Sequence, residues 1–209
     1  MPAERKRPVY LVAALLAALV LGTTGANSAW TIIMRYREGI APAEAGQFVS
    51  DEADRAAVVA RADSYLRVLD AARPRGWPIA VGMLVLGTGV LASAVRTLGG
   101  SRGARSVLLQ LVVAQAVLGG ASYWLLQDVA SAEVRWREAE QAAKVHETFP
   151  TQQPHEADDA VRLGATLIRL EPRVELAFGT LTSALVVIAL TRRRARDFFD
   201  ASARALGGQ

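Results

Sequence analysis

Uncharged, mostly apolar residues run without interruption from Pro8 to Met34, from Gly76 to Val95, from Ser106 to Gln127 and from Leu176 to Thr191. A helix needs roughly 20 such residues to cross a bilayer core of about 30 Å. Three of the runs reach that length and the fourth falls only a little short. The pattern predicts an all-α integral membrane protein, a four-helix (tetraspan) bundle with spans at about 9–34, 77–95, 106–127 and 174–191, forming a single membrane domain over 1–209.

The two longer connections change period without losing helical character. In the first, Ser50 is placed to cap a helix whose first turn holds Asp51, Glu52 and Asp54, where carboxylates suit the positive end of the helix dipole. Val58, Val59, Ala62, Leu66 and Leu69 then recur at helical spacing, opposite the i,i+4 pairs Asp51/Arg55 and Asp63/Arg67. Pro74 is the expected stop, giving an amphipathic segment over about 50–73. Its apolar stripe, Val58, Val59, Leu66 and Leu69, is a candidate interaction face that requires the second outer segment, the membrane surface or another protein as partner.

The second connection, about 128–171, reads as helical to Glu147 with Glu133/Arg137 and Glu140/Lys144 as pairs. The third span is therefore expected to continue well past the bilayer. A turn through Thr151 to Pro154 follows. A further period of Val161, Leu163, Leu167 and Ile168 leads to Pro172, which is expected to open the last span.

Charge orients this scheme. Arg5, Lys6 and Arg7 precede the first run, Arg96, Arg102 and Arg105 lie between the second and third, and Arg192, Arg193, Arg194 and Arg196 follow the fourth. The three short segments satisfy the positive-inside rule together, with both termini inside and both long connections outside. The net charge of +4 is thus a matter of topology, and no basic stretch interleaved with stacking aromatics points to nucleic acid. Trp30, Tyr36, Trp77, Tyr123, Trp124 and Phe178 fall mostly at the outer ends of the runs, where amphipathic rings favour the interface.

The first run also resembles a secretory signal peptide, with Ala26-Asn27-Ser28 as a small-residue cleavage site. The apolar stretch continues to Met34, which favours a retained anchor. Arginine far outnumbers lysine and alanine is abundant, a composition that hints at a bacterial, GC-rich source and hence at the inner membrane. Cysteine is absent, so no disulfide staples the outer segments and thiol redox chemistry is excluded.

Within the spans, Ala14, Ala18, Gly22 and Ala26 form a ladder at four-residue spacing, and Gly89/Ser93, Ala116/Gly120 and Gly179/Ser183 repeat the spacing in the others. Small residues let helix backbones approach in lipid. Gln110, Gln115 and Gln127 are the most polar side chains of the third run, and Asn27 lies at a depth from which it could pair with Gln127. These four are candidates for interhelical hydrogen bonding or, less simply, for lining a solute pathway, with Gln115 nearest the middle.

No Asp, Glu, Lys, Arg or His occupies the central part of any run, which argues against proton-coupled transport. Glu175 stands at the outer boundary of the fourth, where Arg169 or Arg173 could pair with it. His146 and His155 both lie in the second connection, without metal-ligand spacing, so neither membrane haem nor a metal or other cofactor is expected. Phe198 and Phe199, in the basic tail, could dip into the lipid interface, although a frayed end is the simpler account.

The leading expectation is a non-enzymatic membrane component whose outer helical cap mediates interaction or assembly with a membrane-protein partner or with itself. The alternative is a channel or transporter for an uncharged or apolar solute, and an outer-face enzyme around the two histidines is a distant third.

Overall fold

The computed structural model describes residues 8–38, 46, 47, 49–148 and 154–207, and the side chains of Glu38, 154–157 and 203–207 lie outside that description. Arg5, Lys6, Arg7 and the expected turn at Thr151–Gln153 also lie outside it. The described residues form six helices and no strand: α1 Val9–Glu38, α2 Glu52–Leu98, α3 Arg102–Leu125, α4 Gln127–Thr148, α5 Pro154–Thr191 and α6 Arg193–Gly207. Four of them, α1, α2, α3 and α5, are long and apolar enough to cross a membrane. This is a multi-pass helical membrane protein. Its chain divides into two compact units, one of residues 1–31, 79–121 and 177–209, the other of 32–78 and 122–176.

The first unit holds the spanning bundle. Its core takes Leu11, Leu15 and Ala18 from α1, Val90 and Ala94 from α2, Leu108 and Val112 from α3, and Val186 and Leu190 from α5. Leu16, Val20, Val85, Val117, Leu185 and others point outward and are exposed. Hydrocarbon outside and hydrocarbon inside is the arrangement a lipid solvent permits, because burial of apolar area no longer discriminates the two faces.

Close backbone approach does discriminate them. A Cβ on Gly87 would meet the Ala26 nitrogen at 2.7 Å and the Gly22 carbonyl oxygen at 2.9 Å, so α1 and α2 touch backbone to backbone at these glycines. The small-residue ladder of α1 thus finds its counterpart in Gly87. Gly89 instead accommodates Leu111 of α3, at 3.2 Å from a Cβ built there. Gly120 and Gly179 open onto free space, so these two glycines do not bring helices together.

Gly99 and Gly100 end α2, with Gly100 at φ 85°, a left-handed conformation that glycine adopts at little steric cost. Ser101 Oγ then caps α3 by accepting the Ala104 N–H at 3.3 Å.

The tail after α5 is neither frayed nor spread on lipid. The chain breaks at Arg192 and α6 folds back so that Ala195 and Phe199 enter the bundle core. Arg105 lies 5.8 Å over the Phe199 ring and donates from Nε to the Leu190 carbonyl at 3.0 Å, while Arg102 pairs with Asp200 at 3.1 Å. An amphipathic helix with a ready apolar partner buries its aromatic face there rather than in the interface.

The described part of the second unit is mostly helical, and it corrects two expected boundaries. Asp51, not Ser50, caps α2, accepting the N–H groups of Ala53 and Asp54 at 2.9 and 3.0 Å. With that carboxylate committed to the helix start, Arg55 is not its partner.

Proline does not stop the helices either. α2 continues through Pro74 and Pro78, and α5 through Pro172. Each proline removes one N–H, and Pro78 lies four residues after Pro74, so the carbonyls of Asp70 and Pro74 are the ones released. Tertiary packing on both sides of Pro74 holds the helical path, with Ala72 and Gly76 both buried.

Candidate functional site

The glutamines of the third apolar run, Gln110 and Gln115 on α3 and Gln127 at the start of α4, separate into two kinds. Gln110 and Gln127 are exposed, as is Asn27 on α1, so the polar groups expected to pair between Asn27 and Gln127 each face outward. Gln115 alone is buried, at 9% exposure. Its Nε2 donates to the main-chain carbonyl of Leu21 at 3.1 Å. The space it uses is provided by Gly25, where a Cβ would come within 2.2 Å of that nitrogen. Gln115 therefore ties α3 to α1 through one amide N–H, while its Oε1 is buried without a hydrogen-bond partner.

The stripe on α2 is satisfied inside the protein. Val58 and Leu69 are buried, and Val59 and Leu66 are partly covered, Leu66 against the core and Val59 on an open depression lined with Ser50, Glu52, Arg55 and Ala56. Of the three partners the sequence leaves open, the second outer segment is the one that covers this face. Leu69 joins Tyr36, Tyr65, Ala72, Val129 and Ala132 in one core cluster, and Val58 joins Val49 and Ala143 in another. Trp136 packs against both clusters. Its ring stacks on Tyr65 at 5.4 Å and 21°, and its Nε1 is buried without a hydrogen-bond partner.

Around this core runs a chain of ion pairs. Arg35 Nη1 donates to Glu133 Oε1 at 2.9 Å, and lies 3.4 Å from the Tyr65 hydroxyl. Glu133 also receives Arg137, at 3.3 Å, and Arg137 reaches on to Glu171 at 2.6 Å. Arg169 of α5 pairs with Glu138 rather than with Glu175, and Arg75 pairs with Asp128. The expected pairs Asp63/Arg67 and Glu140/Lys144 are formed as well.

Tyr36 is buried rather than interfacial, its ring edge-on to Trp77 at 6.4 Å and its hydroxyl fitted against Gly76. Trp30 and Trp124 are exposed, as interfacial anchors would be.

Arg35 stands directly after the first span, and Glu133, distant in the chain, supplies its carboxylate. Each of these guanidinium groups meets an acid. His146 Nδ1 lies 2.9 Å from Asp54 Oδ2. The His155 side chain lies outside the described residues. Among the described residues, no group of three or more His, Asp and Glu is placed to hold a metal ion.

At the start of the unit, the Ser50 N–H donates to Glu147, and this holds the Glu147 carboxyl below the usual range.

The apolar period of α5 divides between its two faces. Val161 and Ile168 are partly covered. Leu163, Leu167, Leu170 and Val174 are exposed by 63%, 60%, 43% and 61%. The contacts of α5 with α4 lie beside the row rather than on it: Gly164 on Gln141 and Glu171 on Arg137 stand about 80–100° round the helix from Leu163, and Arg169 on Glu138 about 120° the other way. The result is a row of large apolar side chains, at spacings that stay on one helical face, left exposed among the described residues.

The fold defines a class, the multi-pass helical membrane proteins with a folded extramembrane unit. Compared with known proteins, the chain matches no family model, no curated protein and no solved structure, so its functional reading rests on its own residues.

Proposed function

We propose that this chain is a non-enzymatic component of a bacterial inner membrane, with both termini in the cytoplasm, that acts by interaction or assembly through its extramembrane helical unit. The observation that carries the reading is the exposed row Leu163, Leu167, Leu170 and Val174 on α5. Soluble surfaces seldom leave several large apolar residues contiguous unless something covers them. The face that the sequence favours, around Val58 and Leu69, is occupied from within, so the interaction surface moves from α2 to α5.

Orientation follows from the basic short segments, and the bacterial source from the arginine- and alanine-rich composition. The competing reading, a path for an uncharged solute lined by Gln115, has less behind it: one N–H of that amide bonds to the Leu21 carbonyl and only its buried Oε1 is without a partner. A photo-reactive amino acid at Leu167 in intact membranes tests the proposal. A discrete protein adduct is expected, and reaction with lipid alone contradicts it.

A further inference from the structure

The geometry points to a second copy of this chain as the occupant of the α5 row, packed with the two α5 helices parallel. The inference rests on the interaction reading above and names its partner.

Lipid reaches Val174 and Leu170 at most and is too far away to cover Leu163 and Leu167. Along a helix rising 1.5 Å per residue, Leu163 lies about 16 Å and Leu167 about 10 Å beyond Val174, where the span begins. The headgroup layer on one side of a bilayer is only about 5–8 Å deep. Arg169, Glu171, Arg173 and Glu175 surround that boundary and keep the stretch above it out of hydrocarbon.

The charges beside the row say what fits it. At 100° per residue, Arg162 and Arg173 project about 80–100° to one side of the row, and Glu171 and Glu175 about 80–120° to the other. Arg162, Arg173 and Glu175 are exposed and make no ion pair among the described residues, while Glu171 also holds Arg137.

Two copies related by a twofold axis along the helices bring the arginine flank of each against the glutamate flank of the other. In an antiparallel pair, like flanks meet. Copies inserted the same way in one membrane can pair α5 only in parallel, and parallel pairing is the arrangement that matches opposite charges. The row itself, spaced four, three and four, is the seam that parallel helices interlock.

The chain has no cysteine, so Leu167→Cys places a single thiol at the centre of the row. Two differently tagged copies carrying it, co-expressed and mildly oxidised in membranes, are expected to give a covalent dimer containing both tags. Leu163→Cys and Leu170→Cys should do likewise, whereas Ser131→Cys, exposed on α4, should not.

In the Leu167→Cys background, Arg173→Glu should lower the dimer yield roughly threefold or more, and adding Glu175→Arg should restore it. A yield indifferent to Arg173→Glu overturns the parallel pairing. Absence of the dimer, with a photo-reactive residue at Leu167 captured by a different protein, overturns the second copy and leaves the interaction reading in place. Absence of both the dimer and any protein adduct overturns both.

Discussion

Gln115 of α3 reaches across to α1 and donates its amide N–H to the carbonyl of Leu21, through a gap that exists because residue 25 is glycine. An amide in hydrocarbon has few other partners, so this bond fixes the two helices in register. Replacing Gln115 with leucine should lower stability by about 1 kcal/mol, in the range of interhelical hydrogen bonds in membranes. Gly25→Ala should cost at least as much by displacing the amide. Unfolding of the detergent-solubilised variants, followed by circular dichroism, checks both.

Two glycines that look alike in the sequence should behave differently. Gly87→Ala forces a methyl against the backbone of Ala26 and Gly22, and is expected to destabilise the bundle by about 1–3 kcal/mol. Gly179 has open space where its Cβ would go, and Gly179→Ala should be neutral or slightly stabilising, since alanine is the better helix former. Parallel thermal melts of the two variants measure the contrast.

Arg35 and Glu133 are both largely covered, with side chains 29% and 22% exposed. Removing one partner leaves the other charge partly desolvated. Glu133→Ala is therefore expected to cost about 2 kcal/mol, more than the exposed Asp63→Ala, which should stay within about 0.5 kcal/mol. A denaturant series on the three proteins distinguishes these values.

Glu147 carries a pH dependence of known sign. Its carboxyl is held below its ordinary value by the Ser50 N–H, so the folded state favours the charged form. The contribution is fully present above the unfolded value, about 4.3 for glutamate, and is lost as pH falls through the lower folded value. Proteolysis near Ser50 should accelerate below about pH 4 in the native chain, and Glu147→Gln should flatten that part of the profile.

The spans were legible because an unbroken apolar run in lipid has one dominant solution, and α1, α2, α3 and α5 hold nearly all of the four; the third run, expected to continue as one helix, instead breaks at Leu126, with Gln127 opening α4. Pro74 and Pro172 misled because local propensity opposes a helix that packing on both sides sustains. The stripe Val58, Val59, Leu66 and Leu69 was legible as apolar, but periodicity cannot say which of several surfaces covers it. For the same reason Leu163 and Leu167 could not be separated from Val161 and Ile168 until α4 was in place beside α5. Depth alone set Gln115 apart from the other two glutamines, and it is the buried one, whereas Gly25, which makes its bond possible, has no distinguishing mark in a chain of 17 glycines. Arg35 was hidden differently, since its partner Glu133 lies 98 residues away.

The central claim, a four-span bundle whose folded helical unit stands outside the cell membrane, is tested most directly by thiol accessibility in this cysteine-free chain. Single cysteines at the exposed positions Ser50, Thr148, Gly103 and Arg194 report on the two sides. A membrane-impermeant reagent should label Ser50→Cys and Thr148→Cys in intact cells, and Gly103→Cys and Arg194→Cys only after permeabilisation. Labelling of Gly103→Cys or Arg194→Cys in intact cells, with Ser50→Cys protected, would contradict the account.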